Sequence, residues 1–376
     1  MRKVLIKQAA VTTSIGSDLN STFHSLLDHK SGIKQLDRFE TKNYRSKYAA
    51  LLKSIETPES RSLFLNLTDL ILKQLKDIPD DCMVISATTK AGIDLFEKNE
   101  KNISSINKYI LPSNIAQYVA DKLNLKNSGM NISSACASST IAIIKGAQMI
   151  MNNRADSVLV FCADIISEFV FSGFSSLNAL SDLPTQPFDI NRKGLNLGEG
   201  GAALLLMADD GKKNNSSDPE IFVEGFGIAS DATHITAPAR DGRGLILAIE
   251  KALKSAKLTP DQIGAINMHG TGTIYNDLME IKAFSHIFKD INIPGNSIKG
   301  SIGHTLGGAG GIEAALGTMI LKEKILPGTH GFSIPEKGAE NFISSKNINF
   351  KNDYFLSSNS GFGGTNAALI LKKGNC

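Results

Sequence analysis

Continuous apolar runs alternate along the chain with short turns rich in glycine, serine and threonine. The runs at 83–86, 202–208 and 265–268, and the one that closes GFGGTNAALILKK at 361–373, predict strands. Strands that are apolar without alternation are typical of sheets covered by helices on both faces. Two longer apolar stretches, 141–151 and 312–321, predict helices that each follow a turn of small residues.

The two parts of the chain repeat this order of elements. Each has a short apolar strand, then a turn of small residues leading into an apolar helix, then a glycine turn that feeds a long strand. Between them lies DDGKKNNSSDP at 209–219, which predicts an exposed linker. We interpret residues 1–208 and 220–376 as duplicated α/β halves that form one large layered domain.

Composition and charge exclude several classes of protein. The chain has 376 residues, of which 42% are hydrophobic and 20% charged, and its net charge is +3. This balance is that of a globular protein and is too weakly basic for a nucleic-acid partner. No apolar run approaches a membrane span or the core of a signal peptide. With four cysteines and no C-x-x-C spacing, we expect a cytoplasmic protein.

Cys136 is the candidate nucleophile among the cysteines. It lies in NISSACASSTIAIIKGAQMI, among small residues and directly before a predicted helix. A helix N-terminus favours the thiolate, and small neighbours let a substrate approach. A buried structural cysteine is an equally good interpretation of this segment taken alone. For Cys82 and Cys162, in apolar strands, the structural interpretation is favoured, and Cys376 is terminal.

Two histidines, His269 and His304, stand in glycine-rich turns at the ends of apolar segments. A thiol with two such histidines is the pattern of a thiolate with proton-handling or oxyanion-stabilising partners. Core histidines remain the alternative for each, and a metal site is disfavoured because no pair has metal-ligand spacing. Lys299 and Glu313 flank His304 within apolar or glycine-rich sequence, so burial of the two as an ion pair is possible.

Six motifs in order resemble the β-ketoacyl synthase family, which has the thiolase fold. They are ACASS, PFDINRKGLNLGEGGAALLL, SDATHITAPARDGRG, HGTGTIYND, KGSIGHTLGGAGGIEA and SNSGFGGTNAAL. The resemblance implies an α/β fold with duplicated halves in an α-β-α-β-α arrangement. Cys136, His269 and His304 match the Cys-His-His set of elongating synthases. Initiating synthases have Asn in place of the second His, and thiolases carry a second active-site cysteine.

The resemblance also implies a reaction that needs no metal or organic cofactor. Cys136 takes an acyl group from acyl carrier protein, and both histidines stabilise the enolate left when malonyl-carrier protein loses CO2. The positions implied to assist are Lys299 with Glu313 as a supporting ion pair, Phe362 as a gate and oxyanion donor, and Thr236, Thr271 and Thr273 as substrate-binding residues. Arg61 and Arg192 are implied to face the carrier protein, and the family forms homodimers or heterodimers.

The chain departs from the family pattern in two places. The loop NSGFGGTN around Phe362 is one aromatic residue short, and SATTKAGID at 86–94 replaces a more glycine-rich segment beside the acyl pocket. These departures favour a specialised synthase, for example in polyene synthesis. The competing hypothesis is a silent, chain-length-factor-like partner subunit of a heterodimer. Such subunits lose the cysteine, so Cys136 favours an active enzyme.

Overall fold

The computed structural model of the chain describes residues 2–55, 61–98, 111–211 and 218–374. The strands of the main sheet are β1 (Val4–Thr13), β4 (Met83–Ala87), β5 (Met130–Ile132), β6 (Ser157–Asp164), β8 (Gly200–Ala208), β9 (Ile221–Ser230), β10 (Ile263–Asn267), β11 (Gly295–Asn296), β14 (Tyr354–Gly361) and β15 (Thr365–Lys373). Two small sheets are formed by β2 (Lys34–Gln35), β3 (Tyr48–Ala50) and β7 (Leu197–Gly198), and by β12 (Ile325–Leu326) and β13 (Ile348–Asn349).

The helices connect these strands and pack on their faces. They are α1 (Leu19–Leu27), α2 (Leu63–Leu72), α3 (Ile93–Lys98), α4 (Ile115–Lys122), α5 (Ser138–Met151), α6 (Glu168–Ser176), α7 (Arg243–Ala256), α8 (Ile274–Phe288), α9 (Lys299–Ile302) and α10 (Ala309–Glu323). Short 3-10 turns lie at Lys53–Ile55, Pro112–Asn114, Pro260–Gln262, Leu306–Gly308 and Ala339–Asn341. In the part of the chain that these elements span, no helix is long and apolar enough to cross a membrane.

The main sheet has the same strand order in both halves, which confirms the predicted duplication. From its outer edge to the middle, the first half runs β5-β4-β6-β8-β1, and the second runs β11-β10-β14-β15-β9. In each half the two outermost pairings are parallel and the next ones are antiparallel. The halves meet where Val4 and Leu5 pair with Val223 and Phe222.

Five layers result, with α5 and α10 packed together between the two halves. Both central helices contact strands of both halves, while α2 and α4 cover the first half from outside, and α7 covers the second with α8 beside it. The strand β6 shows why its sequence does not alternate. Val158 and Val160 pack into the central core, and Leu159 and Phe161 pack into the core under α2 and α4. Both faces are dry, so every position from Val158 to Ala163 is apolar.

Glycines let the two central helices approach each other and the first-half sheet. A Cβ atom at Gly311 would lie 2.1 Å from Sγ of Cys162, and one at Gly310 would lie 2.0 Å from Oγ1 of Thr140. Real carbon contacts are never this short, so only glycine fits at either position. The glycines in the first turn of α10 therefore serve helix packing.

The predicted linker falls between β8, which ends at Ala208, and β9, which begins at Ile221. Residues 212–217 of it lie outside the described residues. Because α5 and α10 are shared by the two halves, the division into 1–208 and 220–376 marks a repeat within one packed unit.

Candidate active site

Cys136 lies in a tight turn between β5 and α5. The preceding residue, Ala135, has a left-handed backbone with φ of 48°, which an alanine adopts only at an energetic cost. Ser138 stabilises the turn, since its hydroxyl donates to the Ala135 carbonyl at 2.6 Å and accepts the Ser134 N–H at 2.7 Å. The turn therefore presents the thiol at the start of a central helix.

The Cys136 thiol is only 6% exposed, and its surroundings are mostly apolar. Burial raises the pKa of the Cys136 thiol to about 11, although the charge of Lys299 and the backbone N–H of Phe362 act in the opposite direction. The helix N-terminus therefore does not give the resting thiol the lowered pKa that its position in the sequence predicted. Desolvation is the largest of the effects on this pKa, because most of the water around the sulfur has been replaced by protein.

His304 reaches the thiol with Nε2, which lies 3.0 Å from Sγ of Cys136. Its other ring nitrogen, Nδ1, accepts the backbone N–H of Leu306 at 3.3 Å, so the ring proton is on Nε2. Burial and the charge of Lys299 hold the pKa of His304 well below its usual range. The imidazole is thus neutral, and it points an N–H donor at the sulfur.

His269 follows β10 and has the same tautomer as His304. A side-chain amide, instead of a backbone N–H, contacts its Nδ1. The side-chain amide of Asn359 accepts the Thr140 hydroxyl with Oδ1, and its nitrogen donates to Glu313 at 2.7 Å and lies 3.4 Å from Nδ1 of His269. Burial, Lys299 and His304 keep the pKa of His269 well below its usual range. The two imidazole rings meet edge to face, with centroids 5.2 Å apart.

The predicted ion pair is present and buried beneath the histidines. Nζ of Lys299 lies 2.5 Å from Oε1 of Glu313, and both side chains are shielded from solvent. Glu313 uses its second oxygen for Asn359, so the carboxylate links the lysine to the residue that orients His269. Of the two partners, Lys299 is the one whose charge lowers the pKa of both imidazoles.

Three further positioning residues were missed by the sequence analysis. Asn359 fixes the His269 tautomer, and Glu280 of α8 accepts the N–H groups of His269 and Gly270 at 2.6 Å each. Asp164, at the end of β6, fixes the turn after β4. Asp164 and Asn359 stand at or near the ends of apolar strands, which is a signal that the sequence carries, whereas Glu280 lies within α8 and has no such signal.

Two cavities open onto Cys136 from different sides. The larger, of about 420 Å³, is lined by His269, His304 and the three threonines predicted to bind substrate, Thr236, Thr271 and Thr273. The smaller, of about 300 Å³, lies toward α6. Both are bordered by Phe362, whose ring stacks on that of Phe174 with centroids 5.8 Å apart. Phe362 therefore stands where a gate between the cavities would stand.

The two arginines that were predicted to face a carrier protein differ in their exposure to solvent. Arg61 is partly exposed and pairs with Asp69 at 2.5 Å. Arg192 is 4% exposed and contacts Glu336 at 2.9 Å and Asp277 at 3.6 Å. The prediction for Arg192 is therefore wrong, because a side chain enclosed by its own fold offers no charge to a partner.

The two other cysteines among the described residues lie outside the cluster. Cys82 and Cys162 are buried in the first half, and burial raises the pKa of the Cys162 thiol to about 12. Cys376 lies outside the described residues. Sγ of Cys136 and ring nitrogens of His269 and His304 lie within 4.8 Å of one another, a spacing that also suits a metal ion. Lys299, whose charge acts on all three, opposes a bound cation.

A buried thiol between two neutral N–H donors, at the centre of a duplicated five-layered fold, defines the thiolase-like class of condensing enzymes. Residues 80–211 match the β-ketoacyl synthase N-terminal domain, and residues 221–333 match the β-ketoacyl synthase C-terminal domain. The chain belongs to the β-ketoacyl synthase family.

Relatives extend this likeness over the whole chain. The 3-oxoacyl-(acyl-carrier-protein) synthase 2 of Vibrio harveyi is 28% identical over 411 residues, which cover 99% of both proteins. The chloroplastic 3-oxoacyl-(acyl-carrier-protein) synthase II of Arabidopsis thaliana is 30% identical over 408 residues, or 98% of this chain and 75% of the relative. Among solved structures, a ketosynthase in complex with its chain length factor from Xenorhabdus doucetiae superposes with a TM-score of 0.86, at 27% identity and 99% and 98% coverage.

Proposed function

We propose that the chain is an elongating β-ketoacyl-acyl-carrier-protein synthase, acting in fatty-acid, polyene or related polyketide synthesis. The observation that carries this proposal is the pair of neutral imidazoles, His269 and His304, that direct Nε2–H groups into the space beside Cys136. Two donors aimed at one point suit the stabilisation of a developing oxyanion. A base for the thiol would instead need an unprotonated ring nitrogen facing the sulfur.

In the first step, the sulfur of Cys136 attacks the thioester carbonyl of an acyl-carrier protein. A new C–S bond forms, the old one breaks, and the thiol proton leaves with the departing pantetheine sulfur. The backbone N–H of Phe362, which lies against the Cys136 sulfur, and that of Cys136 itself would hold the carbonyl oxygen in this step. Thioester exchange between thiols of similar energy needs no external driving force.

In the second step, malonyl-carrier protein enters through the larger cavity and loses CO2. The electrons of the broken C–C bond move to the thioester oxygen, where His269 and His304 donate hydrogen bonds to the enolate. The enolate carbon then attacks the acyl group on Cys136, a C–C bond forms, and the released thiolate takes a proton from solvent. Thr271 and Thr273, whose hydroxyl oxygens lie 2.9 Å apart in that cavity, would bind the pantetheine arm together with Thr236.

The partners follow from this reaction. The substrates are acyl- and malonyl-loaded carrier protein, and we propose a cytoplasmic homodimer, or a heterodimer with a related synthase subunit. A heterodimer is supported by the Xenorhabdus doucetiae ketosynthase, which is bound to its chain length factor. Among the described residues, β5 is the outermost strand of the first half and its Met130 side chain is exposed, which supports pairing of this sheet edge in an assembly.

The test is reconstitution of the reaction with purified chain, acyl-carrier protein and malonyl-carrier protein. We expect an acyl group on Cys136 by mass spectrometry, CO2 release and a β-ketoacyl product. A folded chain that never carries an acyl group, yet raises the activity of a second synthase subunit, would overturn the proposal in favour of the partner-subunit alternative.

A further inference from the structure

The turn that follows β4 is not used by the mechanism above, although it borders the nucleophile. Its residues Thr88, Thr89 and Lys90 belong to the segment that departs from the family pattern. Thr89 and Lys90 line the smaller cavity, and so does Cys136. The charge of Lys90 also acts on the thiol and lowers its pKa, which places the ammonium near the sulfur.

The rest of this cavity is mainly apolar. Its walls are formed by residues of α6 and its flanks, together with a residue from the turn before α10: Phe169, Val170, Phe174, Leu177 and Leu306. The one serine of the wall, Ser172, donates its hydroxyl to the Phe169 carbonyl. Within the described residues, Lys90 therefore supplies the positive charge of an otherwise apolar pocket about 300 Å³ in volume.

The Lys90 backbone is held in place, but its ammonium is not engaged. Asp164 accepts hydrogen bonds from the Lys90 N–H at 3.3 Å, from the Thr89 N–H and hydroxyl, and from the Gly307 N–H. The carboxylate closest to the turn is thus occupied by main-chain and threonine donors. Across the described ranges, no hydrogen bond or ion pair is formed by Nζ of Lys90.

We propose that Lys90 makes the smaller cavity selective for acyl groups that end in a carboxylate. This inference rests on the proposed function, since it names the class of acyl group that Cys136 receives. An ammonium has three donors and no acceptor, so its complement in an apolar wall is an anionic oxygen. A plain alkyl chain in the same space would remove water from the charge and return no hydrogen bond.

The experiment compares pairs of pantetheine thioesters of equal shape. Glutaryl is paired with 5-methylhexanoyl, and adipoyl with 6-methylheptanoyl, because an isopropyl end has nearly the shape of a carboxylate. The rate of acylation of Cys136 is followed by mass spectrometry. For the wild-type chain we expect at least tenfold faster loading of the carboxylate member of one pair.

Substitutions at Lys90 then test the cause of the preference. Lys90→Met keeps the stem and removes the charge, and it should reverse the preference in the pair for which the wild type shows one. Lys90→Glu should lower carboxyacyl loading further, by repulsion. Lys126→Met, which alters an exposed lysine that pairs with Asp80, is the matched control and should load both thioesters like the wild type. Melting temperatures check that each variant folds.

The outcomes separate this inference from the proposed function. Equal loading of both members of each pair by the wild type, or a preference that survives in Lys90→Met, would overturn the selectivity while leaving the synthase activity in place. Failure of every thioester to acylate Cys136 in the folded wild-type chain would overturn both.

Discussion

The two halves of the fold place different chemistry at equivalent positions. In the first half, the turn into α5 carries the nucleophile Cys136, and the strand β4 ends at a turn that contains Lys90. In the second half, the segment before α10 carries Lys299, in α9, and His304, and the equivalent strand β10 is followed by His269. Duplication thus supplied two matching pairs of segments around one centre, and we propose that one pair binds the acyl group while the other stabilises negative charge.

The halves also differ in how these turns are held. The turn after β4 is fixed by Asp164, which lies at the end of the neighbouring strand β6. The turn after β10 is fixed by Glu280, which projects from α8. A buried carboxylate that accepts several N–H groups orders a turn that has no regular hydrogen bonding of its own. The comparison therefore predicts that the nucleophile side and the histidine side can be impaired separately.

Loss of the nucleophile should have the largest effect. Cys136→Ala should lower condensation by at least about 10⁴-fold, because no other group can carry the acyl chain. Product formation is measured with acyl- and malonyl-carrier protein. The change removes a single sulfur, so the melting temperature should be nearly unchanged. Cys82→Ala, which removes a buried thiol outside the site, should retain activity. Full condensation by the Cys136 variant would refute the mechanism.

Loss of either imidazole should impair the second step selectively. His304→Ala should lower CO2 release from malonyl-carrier protein on the order of 100- to 1000-fold, since a donor to the enolate is lost. Acyl loading of Cys136 should fall much less, and His269→Ala should behave similarly. His286→Ala, at an exposed position of α8, serves as the control. If loading collapses while CO2 release survives, the histidines do not serve the enolate.

A smaller effect is expected from the residue that sets the His269 tautomer. Asn359→Leu removes the donor to Nδ1, so the ring proton is free to move from Nε2, and CO2 release should fall roughly 10- to 100-fold. The variant also leaves Glu313 with an unpaired oxygen, which should cost about 1–3 kcal/mol of stability. Nitrogen NMR of His269 reports the tautomer directly. An unchanged spectrum with unchanged activity would exclude this role.

The pH dependence of alkylation measures the pKa of the Cys136 thiol before any acyl group is bound. With a pKa of about 11, Cys136 is mostly protonated between pH 7 and 9, so its reaction with iodoacetamide should accelerate about tenfold for each pH unit. Cys136 should still react before Cys82 and Cys162, because it lines both cavities and the others are sealed in the core. A rate that is already maximal at pH 7 would instead indicate a preformed thiolate–imidazolium pair.

The smallest effect concerns the surface of the first half. We expect the carrier protein to be acidic, so Arg61→Glu should slow acyl transfer from it a few-fold, because a rim charge acts mainly on association. A small pantetheine thioester should react at the normal rate. Arg243→Glu, at an exposed arginine of the second half that pairs with Asp241, tests whether the effect belongs to the first half. Equal losses with both substrates in Arg61→Glu would point to a folding defect.

The site residues differ in how far the sequence could predict them. Cys136, His269 and His304 were predicted as candidates because each stands in a turn of small residues next to an apolar element. Asn359 could not be ranked above the other asparagines, since its importance depends on three contacts with residues far apart in the chain. Arg192 was misplaced for the same reason: no local feature of its sequence reveals that Asp277 and Glu336 enclose it.

The sequence by itself determined the duplicated pattern of strands and helices, the family, and the identity of the reactive residues. These depend on local order and residue type, which a one-dimensional pattern carries. The tertiary structure decided the pKa of Cys136, the tautomers of both histidines, the burial of Arg192 and the unpaired charge of Lys90. Each of these is set by desolvation and by partners that arrive from other parts of the chain, so it exists only when the two halves have packed around α5 and α10.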